Sequence, residues 1–248
     1  MRRTLAAALL PLLVAGCSSS GSASSKGGGT ITVDAASSLT EAFTTLKDRF
    51  EKAHPGASVT LNFGASSELA TQIQQGQPAD VFASASTTNM QGLGSAAVHP
   101  VDFVENTLEI AVPPSNPAHL RGVGDLARRG VKVAVCDPAV PCGAVARQVF
   151  TNAKISVKPA ASLADVKSTL AAVESGEVDA GLVYVTDVRA AGSKVKGLEI
   201  PAAVNASTTY PIARLKGAKN PALARAWIDY VLSPDGRAAL RSAGFRLP

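Results

Sequence analysis

The sequence predicts a layered α/β fold. Apolar alternation of period two gives way repeatedly to apolar spacing of three and four, so short strands alternate with helices along the chain. The strands end in small or hydroxylic residues that lead directly into helix starts. Hydrophobic residues make up 46% of the 248 residues and aromatic residues only 4%, so the core must rest largely on Ala, Val, Leu and Ile.

The organising stretch is 30–43, TITVDAASSLTEAF. Ile31 and Val33 alternate with threonines as a half-buried strand, and Leu39, Ala42, Phe43, Leu46 and Phe50 form one helical stripe. Ser38 and Glu41 have capping-box spacing, which makes Ser38 the expected N-cap. The device recurs. Strand 58–63 leads through Gly64, Ala65, Ser66 and Ser67 into a helix; strand 80–83 is short; residues 90–98 read as a short helix and loop. Strand 107–112 stops at Pro113-Pro114. A short helix covers 124–129, and strand 131–136 ends in the turn 137–143, DPAVPCG, before a helix over 144–153. Ser162 and Asp165 open the next helix, and 180–185, AGLVYV, is a buried strand whose one side-chain polar atom is the Tyr184 hydroxyl. Strands at 198–201 and 208–214 follow. Asn220-Pro221 and Ser233-Pro234 each start a closing helix.

Arg2 and Arg3 precede an apolar run from Leu5 to Val14, shorter than a membrane span. The run ends in Val14-Ala15-Gly16-Cys17, which resembles a bacterial lipobox. The resemblance implies a signal peptide over 1–16, cleavage before Cys17 and lipid on its thiol. Residues 17–29 are then the lipidated Cys and a Ser/Gly tether with a reach of about 20 Å. Without Arg2 and Arg3, 24 basic residues become 22 against 19 acidic ones, a net +3 in place of +5. So slight and scattered a charge does not argue for nucleic acid. Cys136 and Cys142 remain. In an exported protein a local disulfide is their expected state, and a metal site would need more ligands than the segment offers.

Four helix entrances stand out: Ser37-Ser38, Ser66-Ser67, Cys142-Gly143 and 162–166. Their residues are small, hydroxylic or apolar, with no Lys or Arg. A helix start offers unpaired N–H groups and a positive dipole end. A fully deprotonated tetrahedral dianion accepts hydrogen bonds and donates none, so a site made only of donors suits it.

The segments ITVDAASSLTEAF, FGASSELATQI, QPADVFASA, CDPAVPCG and AGLVYVTD, in that order, resemble the molybdate-binding proteins of molybdate ABC transporters. The likeness spans Ile31 to Phe245. It implies a two-lobed type II periplasmic-binding-protein fold, with mixed sheets flanked by helices and two crossing hinge strands, near 108–112 and 210–214. Lobe 1 is then 30–109 with 211–248, and lobe 2 is 110–210. The resemblance further implies that molybdate, or tungstate of nearly equal size, is held by the hydroxyls of Ser38, Ser66 and Tyr184 and the backbone N–H groups of Cys142 and Val166. Molybdenum is bound as its oxyanion, with no protein-to-metal coordination, and no cofactor is implied. The implied partners are the oxyanion, an ABC permease and, through the lipid, the outer face of the cell membrane; the implied state is a monomer. Two residues depart from the family pattern. Asp34 replaces an apolar residue and would repel a dianion unless it points away, and Cys142 replaces a small residue, which is compatible with a backbone donor.

An exported hydrolase is the enzyme alternative. The chain has no G-x-S-x-G elbow and no metal-ligand cluster, and its one S-x-x-K, Ser193–Lys196, lies in a charged loop. The expectation is therefore a binding protein and not an enzyme. Sulfate, thiosulfate or another small oxyanion is the alternative ligand.

Overall fold

A computed structural model describes residues 28–248. The expected signal peptide, the lipidated Cys17 and the tether up to 27 lie outside the described residues. No helix among the described residues is long and apolar enough to cross a membrane.

The first strand, β1 (Gly29–Ala36), buries Ile31, Val33 and Ala35 completely, as its alternation demands. A single 3₁₀ turn, Ser37–Leu39, joins it to α1 (Thr40–Ala53). The second unit is β2 (Ala57–Gly64) and α2 (Ser66–Gln74), followed by β3 (Val81–Ala83) and α3 (Thr87–Gly92). Next comes β4 (Ala97–Val112), sixteen residues in one strand. Its first half reads as a loop in sequence for a physical reason: His99 has φ of 51°, Pro100 follows it, and the register slips twice, between Val98 and Val101 and between Asp102 and Val104. The chain continues with β5 (Val133–Cys136), α4 (Pro141–Asn152), β6 (Ala161–Leu163), α5 (Val166–Glu174) and β7 (Ala180–Tyr184). It closes with α6 (Val185–Ala191), β8 (Lys196–Leu198), β9 (Ser207–Leu215), α7 (Pro221–Leu232) and α8 (Pro234–Ala243). Asn220 and Ser233 cap α7 and α8 through bonds from the N–H groups of Leu223 and Gly236.

The strand order is β2-β1-β3-β9-β4-β7-β5-β6, with β8 on β4. The arms are parallel (β1 with β2 and β3, β5 with β6 and β7) and the centre is antiparallel (β9 with β3 and β4, β4 with β7 and β8). The sheet is thus mixed, as the family resemblance implied, and not mostly parallel as strand–helix alternation alone suggests. β4 passes from one sheet to the other: it pairs with β9 from Ala97 to Thr107 and with β7 from Leu108 to Ala111. Residues 212–214 of β9 pair with β3 inside the first sheet.

Two lobes have separate cores. One is built on Phe43, Phe50 and Trp227, with Trp227 meeting both rings edge-on at 5.7 and 5.4 Å. The other is built on Leu108, Ile110, Val149, Val173 and Leu182. Ala65, from the tip of β2, packs into this second core, so the lobes are closed on each other.

Candidate functional site

Each strand of the parallel arms ends where a helix begins, and the entrances from both lobes converge. They meet around a small cavity of about 10 Å³, far below the roughly 300–1,000 Å³ of drug-sized sites. Ser38, Ser66, Cys142, Val166 and Tyr184 all line it, together with Ser37, Gly64, Ala85, Val140 and Asp165. No Lys or Arg is among the lining residues. Two roomier depressions, about 360 Å³ between α1, α6 and α8 and about 510 Å³ beside 107–109 and 199–207, carry charged side chains such as Arg189 and Glu109 and do not gather the helix entrances.

Ser66 is the first residue of α2, and its Oγ accepts the Ala85 N–H at 2.9 Å. That contact uses its acceptor side and leaves its own proton for a ligand. Ser38 differs from expectation. It is not an N-cap: it lies inside the 3₁₀ turn, α1 starts after it, and no side chain caps either start. The cause is a stronger partner: Ser38 Oγ lies 2.8 Å from the Tyr210 hydroxyl, across 172 residues of sequence. When Tyr210 donates this bond, the Ser38 proton is free for the cavity. Tyr210 lies on β9 and nothing local in the sequence marks it; only the strand pairing brings it to Ser38.

On the other lobe, α4 starts at Pro141, three residues before the sequence expectation. Pro141 has no N–H to lose, and Cys142 and Gly143 then sit in the first turn, where N–H groups have no intrahelical partner. Cys136 and Cys142 form a disulfide that ties the end of β5 to this turn. Val166 is the first residue of α5, where Asp165 is the cap and turns its carboxylate to the Ser168 N–H at 2.8 Å. Its charge is thereby engaged with its own helix.

Tyr184 is the decisive group. It is 1% exposed, and its hydroxyl makes no well-formed hydrogen bond among the described residues, with the Tyr210 side chain beside it. Burial, with Tyr210 and Asp187 adding to it, raises the phenol well above its ordinary pKa, so it keeps its proton. A buried O–H without a partner is costly and calls for an acceptor. Asp34 is not among the lining residues, and one oxygen of its buried carboxylate accepts from Asn62 at 3.1 Å.

Behind these donors lies a network with no signal in the sequence. Lys167 Nζ stands 2.8 Å from both Glu41 oxygens and 3.0 Å from Asp187 Oδ1, while Asp187 Oδ2 accepts the Tyr184 N–H at 3.1 Å. Burial lifts the Asp187 carboxyl to about 6 although Lys167 opposes it. Burial also works against the Lys167 charge, but Asp187 and Glu41 outweigh it and the ammonium is held more firmly. Asp34 and Glu109 are raised too, each chiefly by burial. All three carboxyls bind protons more readily folded than unfolded. For Asp187 this contribution to stability is complete below about pH 4 and is lost as pH rises through about 6, and Asp34 and Glu109 act in the same direction. For Asp187 the full window is worth about 3 kcal/mol, roughly half of it between pH 7.5 and 5. The expected result is a higher melting midpoint for the ligand-free protein at pH 5 than at pH 7.5, by calorimetry, with the slope flattened in Asp187→Asn. A midpoint that drops on acidification to pH 5 in both proteins would refute it.

The site is thus a small cavity in which hydroxyls and helix starts converge, with Asp165 its one acidic lining residue and no Lys or Arg. Residues 31–246 match the family described as bacterial extracellular solute-binding protein. The chain belongs to this family. Among its relatives, the molybdate-binding protein ModA of Mycobacterium tuberculosis is 41% identical, covering 96% of this chain and 95% of that one. ModA of Escherichia coli is 31% identical over 88% and 90%. The solved periplasmic molybdate-binding protein of Azotobacter vinelandii superposes with a TM-score of 0.77, at 22% identity over 88% of this chain and 99% of that one. The family assignment makes the protein a solute-binding protein rather than an enzyme.

Proposed function

We propose that the protein captures molybdate, and tungstate with it, outside the cytoplasm and delivers it to an ABC importer. The observation that carries the reading is the buried Tyr184 hydroxyl, on a residue that lines a cavity formed by serines and helix starts from both lobes, where the one acidic lining residue, Asp165, is turned to the Ser168 N–H. In this reading Ser38, Ser66 and Tyr184 bind oxygen through hydroxyls, and Cys142 and Val166 through backbone N–H. Each bond to a charged oxygen is worth about 1.5–3 kcal/mol net. Several together support tight binding after the cost of association. The similarity to relatives named for molybdate favours this ion. Residues 30–109 with 211–248 are proposed as one lobe and 110–210 as the other, a division that follows the two cores closely. Anchoring through lipid on Cys17, and a monomeric state, complete the proposal.

Isothermal titration of residues 18–248 with molybdate, tungstate, sulfate and phosphate tests it. Tight binding of the first two alone is expected. Tight sulfate binding would favour the alternative oxyanion, and no response to any of the four would refute the reading.

A further inference from the structure

Lys167 spans the cleft. It follows Val166 in the first turn of α5, in one lobe, and its partner Glu41 lies in the first turn of α1, in the other, three residues after Ser38. The remaining ion pairs among the described residues, Lys47–Glu51, Asp125–Arg128, Glu174–Lys194 and Glu105–Arg246, each stay within one lobe. An ammonium has three N–H donors. Here three carboxylate oxygens stand within 3.0 Å of it, two from Glu41 and one from Asp187. With two bonds to Glu41, an ion pair to Asp187 and its side chain outside the cavity lining, Lys167 is turned away from a bound anion. Asp187, 0% exposed, fixes the lysine from below and at the same time holds the Tyr184 backbone.

We propose that Lys167 is a latch: it joins Glu41 of the opposite lobe to the Tyr184-bearing helix start and sets how long the closed form persists around the anion. It acts on release and not on recognition. Opening the lobes separates Lys167 from Glu41, whereas the Lys167–Asp187 pair moves as one body. The latch therefore stabilises the closed form specifically, and its loss appears in the dissociation rate. Closure also has a second, weaker polar tie. The exposed Arg189 donates to the Ser242 carbonyl at 3.1 Å, near the C-terminus of α8.

The inference rests on the proposed oxyanion site, and the test separates the two. Glu41 is half-exposed, so Glu41→Gln preserves folding while removing the charge. Release of labelled molybdate from the mature protein, chased with unlabelled molybdate, is expected to quicken about tenfold in Glu41→Gln and in Lys167→Met. The association rate should change little. The double variant should release no faster than the worse single one, because both remove the same bond. Raising salt should quicken release in the wild type and not in Glu41→Gln. If the wild type binds molybdate and Glu41→Gln releases it at the wild-type rate, the latch is wrong and the site stands. If the wild type binds none of the four oxyanions, the site is wrong and the latch falls with it.

Discussion

Tyr184→Phe is expected to leave the ligand-free protein as stable as the wild type or more so, while weakening molybdate binding by about ten- to hundredfold. The two effects have one origin. The hydroxyl is buried and unpartnered, so removing it costs the closed protein no bond and relieves a group that burial has stripped of water. The aromatic ring, which meets Tyr210 at 6.2 Å in a T-shaped contact, stays in place. What is lost is one donor to a charged oxygen, about 1.5–3 kcal/mol. Titration and thermal melts on the same preparation decide the matter. A Phe variant with wild-type affinity would mean that the phenol does not face the anion. A Phe variant that melts much lower would mean that the hydroxyl has a structural bond instead.

Gly143→Ala carries the second large effect. In an ordinary helix this change is worth about 1 kcal/mol in the favourable direction. Here the added Cβ would stand 1.9 Å from the Asp137 carbonyl oxygen and 2.7 Å from that of Cys136. Both are backbone atoms in the turn that the disulfide holds. They cannot step aside as a flexible side chain can, so the first turn of α4 must move, and the Cys142 N–H with it. Expected are a loss of about 3 kcal/mol or more in stability and a fall in molybdate affinity of at least about a hundredfold. A melt and a titration check both. Affinity retained at wild-type level would show that the Cys142 turn is not part of the anion's cradle.

What was legible in the sequence was local. Small residues between a strand and a helix mark an entrance, and the entrances holding Ser66, Cys142 and Val166 lie at helix starts as read. Ser38 reads as a cap from S-x-x-E, but that spacing describes a cap only if nothing better competes for the hydroxyl. Tyr210 competes, and its arrival depends on the pairing of β9 with β3 and β4. The Glu41–Lys167–Asp187 network is invisible for the same reason: its members come from three helices in two lobes and meet only when the cleft is shut. The first half of β4 was missed because Pro100 and the left-handed His99 break the alternation by which strands are recognised.

The pairing of β3 with β9 also orders events in time. Val81 finds its neighbour in Arg214, and Ala83 in Ile212, so the first sheet cannot be completed until nearly the whole chain is present. The strands of the second lobe find their partners between Leu108 and Leu198. A chain emerging from its N-terminus can therefore assemble the second lobe first, while β1, β2 and β3 wait with an open edge at β3. Folding of the first lobe is gated by arrival of the last segment, as long-range pairing generally slows folding. Truncation between β8 and β9 would leave that edge unpaired while the second lobe keeps all its strands.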